Sequence, residues 1–522
     1  MTKSLVSREV SGEPAVRVSP QDQASAAFFM KLPQLVVERA NLPMTAKHLA
    51  THLARAGHLF ERGSQSVRIV HTSEGERIER LNAHSVVVEA HKVCRPVEDK
   101  KRRGEIVRGE ITLPIQVAQL YLNLGEDFDL PIFCAAPLLS DDGSINCSAG
   151  YDKASGLWCT GVDTPPICFR PSAEDAKNAL QLIRRIFASF PFGDSTRLNT
   201  IQGSMVDLSK DPGADESALL EALMTALCRP SLLLAPALLI SAPQLSGSGT
   251  GKGLLVHAIS EIAFAQKPKA FTSRGDRQEL NKRIESALMQ SEPIVFLDNC
   301  NAELLVSNVL AQVITENAVN ARPLGQSKMT PLSTNAFIAV TGNAVQISED
   351  LARRFLVVYL DAKCENPEQR KFDQSFEALI TTGRSEMVGA LLTIWRWGRQ
   401  NQLESGVPLG SFEQWASWCR DPLLALGCVD PARRIADLKA QDPLRQKISD
   451  FFQAWHASHG STPVKFRDLD PGVSYLLEGN AQARVAKLQA LENARAGGFV
   501  LEAIRPQGKW GKKKYFVRRA DA

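Results

Sequence analysis

The chain has 522 residues, a net charge of +4, 44% hydrophobic and 23% charged residues. These fractions are those of a soluble globular protein, and at roughly 150 residues per domain the length predicts about three units. The small net charge names no partner, the stretch from Met1 to Val10 lacks the apolar core of a signal peptide, and the longest apolar run, Leu232–Ile240, is interrupted by Pro236. That run falls short of the roughly 20 residues that span a bilayer, so a cytoplasmic protein without a membrane partner is expected.

Residues 1–27 are polar and lack periodicity, which predicts a loose tail. An α+β domain is expected over 28–165. Within it, Ala46–Ala56 reads as a helix, and Ser66–Val70 and Ser85–Glu89 read as strands. The charged stretch Val97–Gly109, with Lys100-Lys101-Arg102-Arg103, reads as a solvated loop in preference to a nucleic-acid contact. The ten cysteines form no C-x-x-C pair. His91 and Cys94 have a metal-site spacing but no second pair beside them, so reduced thiols are expected rather than zinc. Ser140-Asp141-Asp142-Gly143-Ser144 reads as a turn rather than as a metal-binding acid pair.

Helices are expected at Ala173–Ala188 and Ser217–Leu227. Ala237–Ala242 then reads as a buried strand, followed by a glycine-rich loop and a helix over Gly253–Ala265. Further on come a helix (277–290), a strand (293–298), a helix (302–316), a hairpin (321–331), strands at 336–341 and 355–360, and an apolar helix (376–399). Strands alternating with helices predict an α/β fold with a parallel sheet over 170–400. A helical connector (401–440) and a separate C-terminal unit (441–522) complete the chain.

The loop Ser246-Gly247-Ser248-Gly249-Thr250-Gly251-Lys252-Gly253 has the composition of a P-loop. Small residues let successive backbone N–H groups face one phosphate, the following helix N-terminus adds its dipole, and Lys252 reaches the β- and γ-phosphates of ATP. Ser246 stands where the consensus has Gly, and Gly253 stands where a Ser or Thr hydroxyl ligates Mg²⁺. The run Pro293–Asp298 ends four apolar residues in an acid, which suits Mg²⁺ binding. Asn299 follows where a catalytic Glu is usual. Asn can position a water but cannot take its proton, so ATP binding is better founded than fast hydrolysis, and Glu303 and Glu316 are candidate bases. Phe337–Asn343 is a second apolar strand ending in a polar amide, and Arg353-Arg354 follow about ten residues later.

These motifs resemble an AAA+ ATPase of the helicase kind, between superfamily 3 helicases and the minichromosome-maintenance group, and look closest to replicative helicases and primase-helicases of phages and integrative elements. The resemblance covers about residues 170–400. The segments Pro137–Gly143 and Gly150-Tyr151-Asp152 are similar to the stretch preceding the ATPase in poxvirus-type primase-helicases. The resemblance implies that Lys252 binds phosphate, Asp298 binds Mg²⁺, Asn343 senses the γ-phosphate, and Arg353 or Arg354 is an arginine finger completing a neighbour's site in a hexameric ring. Of the two, Arg354 before Phe355 matches the finger motif more closely. It also implies a DNA-gripping hairpin at 321–331, with Arg322 and Lys328 meeting phosphates. The terminus carries Lys509, Trp510, Lys512, Lys513 and Lys514 in a stretch with seven bases and no acid, which resembles the basic wing of a winged helix.

The leading expectation is an ATP-dependent DNA helicase or translocase acting on single-stranded or forked DNA, in replication of a mobile element or phage alongside other replication proteins. The alternative is an ATP-binding DNA loader or switch without unwinding activity. A primase would need clustered carboxylates in 28–165, where only Asp141-Asp142 and scattered acids occur. A scaffold using the C-terminal unit alone is the non-enzymatic reading.

Overall fold

The structure is a computed structural model that describes residues 31–55, 57–62, 65–72, 75–102, 105–124, 132–152, 155, 157–200, 203–272, 277–301, 304–305, 307–321, 330–370, 375–440, 442–504 and 513–520. The chain divides into two compact units, Met1–Pro131 and Ile132–Ala522.

The first unit runs β1 (Gln34–Val36), α1 (Leu42–Ala54), β2 (Leu59–Arg62), β3 (Gln65–Thr72), β4 (Gly75–Arg80), α2 (Ala83–Val93), β5 (Arg95–Arg102), β6 (Glu105–Glu110) and α3 (Ile115–Leu124). Strands β2, β3 and β4 form an antiparallel meander, and β5 pairs with β1 in parallel and with β6 antiparallel. Leu35, Leu49, Leu53, Val86, Ala90 and Val117 share one core.

Two expectations are corrected here. Ser85–Glu89 is helical, inside α2. The Asn82 side chain accepts from the Ser85 N–H at 2.9 Å and caps the helix, and Val86 and Ala90, one turn apart, are both buried. Burial of one helical face outweighs the strand preference of three successive valines. Within the stretch expected as a loop, residues 98–102 pair antiparallel with 105–109 as a two-stranded ribbon.

The second unit opens with short strands β7 (Ile132–Cys134), β8 (Leu138–Leu139), β9 (Ile145–Asn146), β10 (Gly150–Asp152) and β11 (Leu157–Cys159). The turn between β8 and β9 follows the Asp-Gly reading. Gly143 has φ +84°, the Ser144 N–H donates to Asp142 at 2.9 Å, and Asp141 accepts from the Trp418 indole at 2.9 Å. Ala136, Leu138, Leu157 and Cys159 belong to the same core as the large sheet, so the unit begins well before residue 165. Trp415, Trp418 and Cys419 of the 401–440 connector lie in that core too.

Next come α4 (Ala173–Phe187), β12 (Arg197–Thr200), β13 (Gly203–Val206), α5 (Ala214–Cys228), β14 (Ala237–Ala242), α6 (Lys252–Phe264), β15 (Ala270–Thr272), α7 (Arg277–Met289), β16 (Ile294–Asp298), β17 (Leu304–Leu305), α8 (Asn308–Thr315), β18 (Ala318–Ala321), β19 (Thr330–Ser333), β20 (Phe337–Asn343), β21 (Gln346–Ile347), β22 (Phe355–Tyr359) and α9 (Phe376–Arg399). The expected 302–316 helix is thus shorter, preceded by β17. The large sheet is parallel throughout, in the order β15-β16-β20-β14-β22. Every residue of β14 is buried, as are the first six of β20, which fits strands covered on both faces. Helix α5 is buried on all sides.

The C-terminal segment has its own core, built from Phe451, Phe452, Trp455, Leu488, Leu501 and Val517. It runs α10 (Pro443–His459), α11 (Pro471–Tyr475), α12 (Ala481–Ala490), β23 (Arg495–Ala496), β24 (Phe499–Ile504) and β25 (Lys514–Arg519), with the three strands antiparallel and Val464 bridged to Tyr515. No helix among the described residues is long and apolar enough to cross a membrane.

Candidate nucleotide-binding site

In a parallel sheet, ligands bind beyond the carboxyl ends of the strands, where neighbouring connections diverge. Here β14 is followed by a glycine-rich loop and α6, and Gly251, with φ +101°, is the residue before the helix. Glycine is required along this loop by close approach. A Cβ on Gly247 would lie 2.2 Å from the Pro243 carbonyl oxygen and 2.7 Å from the Asn343 amide. One on Gly249 would lie 2.6 Å from the Glu368 nitrogen, and one on Gly251 would lie 2.8 Å from the Phe190 ring. Phe190 is held in turn against Phe376, ring centroids 5.0 Å apart. Ser248 is exposed at the rim of the loop.

Lys252 is the first residue of α6. Its ammonium donates to the Gly247 carbonyl at 2.5 Å and lies 3.4 Å from the Thr250 hydroxyl. Thr250 is fully buried, and its hydroxyl donates to the same Gly247 carbonyl at 2.9 Å. Burial lowers the Lys252 pKa, and the negative charge of Asp298 opposes that shift. Lysine, loop and acid therefore share one electrostatic site. Gly253 has nothing within 4 Å of the position of a Cβ.

Strand β20 lies between β14 and β16, so its end sits between the loop and the acid-bearing strand. Three consecutive residues there have three roles. The Thr341 hydroxyl donates to Asp298 Oδ1. Gly342 lets the chain at Cys300 pass close by, since a Cβ would lie 2.6 Å from the Cys300 oxygen. Asn343 places its side chain against Gly247, its backbone N–H donates to Asn301 at 2.7 Å, and its buried Oδ1 has no hydrogen-bond partner among the described residues. Asn299 has φ +60°, a left-handed conformation that Asn tolerates better than Glu, and its amide donates to Asp298 Oδ2 at 3.0 Å.

Lys252, Asp298, Asn299 and Asn343 are thus brought together. The arginines separate. Arg354 is half-buried and donates to the Ala311 carbonyl of α8 at 2.9 Å, whereas Arg353 is exposed. Glu316 is also exposed, and the backbone at 303 lies outside the described residues. Arg322, Lys328, Lys509, Trp510 and Lys512 lie outside them as well, although β18 and β19 pair antiparallel on either side of 322–329. Lys513 is ion-paired with Glu492 and stacks over Tyr515 at 5.3 Å, and Lys514 is exposed.

Sequence reasoning missed Thr341, Asn301, Phe190 and Arg370. The Arg370 guanidinium donates to the Gly249 and Thr250 carbonyls at 3.4 and 3.3 Å, and burial lowers its pKa. No local signal marks an arginine more than a hundred residues from the loop it touches.

No protein-family model matches the chain, and no curated protein matches its sequence. Among solved structures, it is similar to the apo C-terminal region of NrS-1, at 13% identity, 87% of each chain and a TM-score of 0.36. It is similar to SCCmec type IV Cch, described as an active helicase, at 10% identity over 89% of this chain and 98% of that one, TM-score 0.35. It is also similar to the JCV helicase, at 18% identity over 47% of this chain and 64% of that one, TM-score 0.23.

Proposed function

We propose that the chain is an ATP-dependent DNA helicase or translocase with an AAA+ core, acting as a ring, and hexameric, in replication of a mobile element or phage. The observation that carries this reading is the convergence of Lys252, Asp298 and Asn343 at the carboxyl ends of adjacent parallel strands, beside the N-terminus of α6. That geometry suits a nucleoside triphosphate. The loop N–H groups and helix dipole take the phosphates, and Lys252 exchanges its contact with the Gly247 carbonyl for a phosphate oxygen.

The donor set fits Mg²⁺. Asp298 would hold the ion through its carboxylate, and Gly253 stands where a hydroxyl ligand is usual. When bound, the ion neutralises charge on the transferring phosphoryl group. Asn343, with its buried unpartnered Oδ1, orients the attacking water. Arg353 is the residue offered to a neighbouring subunit's site, because Arg354 is held by α8. The β18–β19 frame supports a DNA-gripping hairpin carrying Arg322 and Lys328. The order of three helices and a terminal antiparallel hairpin supports a winged-helix reading of 441–522, in which Lys514 and the basic residues Lys509 and Lys512 would meet phosphates while Lys513 is held by Glu492.

Gly253 and Asn299 favour the second reading, an ATP-binding loader or switch that does not unwind DNA. ATPase turnover measured with and without single-stranded DNA separates the two: stimulation supports the motor, and unstimulated turnover with intact ATP binding supports the switch.

A further inference from the structure

We propose that Arg370 is a positioning residue for the phosphate loop: it holds two successive carbonyls so that the N–H groups of Thr250 and Gly251 face the phosphates. Arg370 takes this role only where the site holds a nucleotide, as proposed above, and it lies outside every motif of the sequence.

The chain after β22 returns to the loop. Pro367–Gln369 forms a single 3-10 turn in which Pro367 is buried. This turn lies against Gly249, where a Cβ would come within 2.6 Å of the Glu368 nitrogen. Arg370 follows directly. Its Nε donates to the Pro367 carbonyl at 3.1 Å, which sets the plane of the guanidinium against its own turn. From that plane Nη2 donates to the Gly249 carbonyl at 3.4 Å and to the Thr250 carbonyl at 3.3 Å. At Gly251 the Phe190 ring is the neighbour, and Arg197 donates to the Phe190 carbonyl at 2.5 Å. The loop is thus gripped at Gly249 and at Gly251, the residues before and after Thr250.

A planar trans peptide points its N–H away from its own carbonyl. The Gly249 carbonyl shares a peptide unit with the Thr250 N–H, and the Thr250 carbonyl shares one with the Gly251 N–H. Fixing both carbonyls on Arg370 therefore turns both N–H groups to the opposite side of the chain. Neither N–H donates to an acceptor among the described residues. Gly249 and Gly251 have φ +71° and +101°, and left-handed residues at such places gather successive N–H groups into an anion-binding concavity. A guanidinium suits the task because its donors lie in one rigid plane and reach the turn and the loop together, whereas an ammonium is a point charge on a flexible stem.

The test uses the full chain, with ADP and ATP affinities from calorimetry and KM and kcat from steady-state turnover. Loop N–H groups meet phosphates that ADP and ATP share, so Arg370→Ala is expected to lose about tenfold in affinity for both, the scale of a hydrogen bond to a charged group. KM for ATP should rise to a similar extent while kcat falls no more than about twofold, because a misaligned loop weakens ground and transition states alike. Arg370→Lys keeps the charge without the planar fork and is expected to lose about threefold on both nucleotides. It is read beside the alanine variant, so a failure of Arg370→Ala to fold leaves the comparison standing. Affinities that stay at the wild-type value in both variants overturn the inference. So does a loss confined to ATP with a large fall in kcat, which would put the guanidinium on the γ-phosphate itself. A wild-type chain that binds neither nucleotide overturns the nucleotide reading, and Arg370's role with it.

Discussion

Single residues account for the departures from consensus around the phosphate loop. Ser246 has φ +58°, the left-handed region where a side chain is strained and glycine is not. Ser246→Gly is therefore expected to stabilise the protein by up to about 1 kcal/mol, read from denaturant unfolding. A Cβ on Gly253 would meet nothing within 4 Å, so Gly253→Ser fits without displacement and restores the hydroxyl that the consensus has at this position. The Mg²⁺ concentration giving half-maximal ATPase should then fall roughly tenfold, the scale of one supporting ligand contact; an unchanged Mg²⁺ dependence would show that residue 253 lies outside the metal's shell. Glu221 of α5 is fully buried, with neither carboxylate oxygen hydrogen-bonded among the described residues, and burial pushes its pKa well above the ordinary value, with Asp430 adding to the shift. Above the unfolded pKa of about 4.3 the folded state holds a proton that the unfolded state has lost, so this group makes stability fall as pH rises towards the folded pKa. Glu221→Gln should remove that fall, and its melting temperature should exceed that of the wild type by a margin that widens from pH 5 to pH 8. The loop glycines, Lys252 and Asp298 were legible because composition alone encodes them. The hydroxyl of Thr341 and the guanidinium of Arg370 were not, because their partners lie 43 and about 120 residues away in sequence.

At the level of elements, the position of β20 between β14 and β16 decides the site, since it delivers Thr341 to the acid and Asn343 to the loop. The order of strands cannot be read from periodicity, though β14 and α9 end where their apolar patterns and flanking signals end. The Ser85–Glu89 segment was misread because three valines signal a strand while one buried helical face and the Asn82 cap prevail. The two arginines after the short helix at 349–352 likewise part company through their surroundings rather than their sequence. Arg353→Ala is expected to leave nucleotide affinity within about twofold and to lower turnover by roughly 10³-fold, as removal of an arginine finger does. Mixing this variant with Lys252→Ala subunits should recover part of the activity if the finger acts on a neighbour. Arg354→Ala should instead lower the melting temperature, because it removes the guanidinium's bond to the Ala311 carbonyl and opens the contact with α8.

For the whole molecule, the division after Pro131 and the shared core from Ala136 to Cys428 make residues 132–440 one structural body around the large sheet. The sequence places the stretch up to 165 in an N-terminal α+β domain; the side chains of its last short strands, from Ala136 to Cys159, join the main core nonetheless. The account stands or falls on whether this body couples ATP to DNA. The most direct measurement is steady-state ATPase turnover of the full chain, with and without single-stranded DNA, beside Lys252→Ala. The account predicts turnover that DNA stimulates several-fold and that Lys252→Ala abolishes. Intact ATP binding with turnover indifferent to DNA would contradict it.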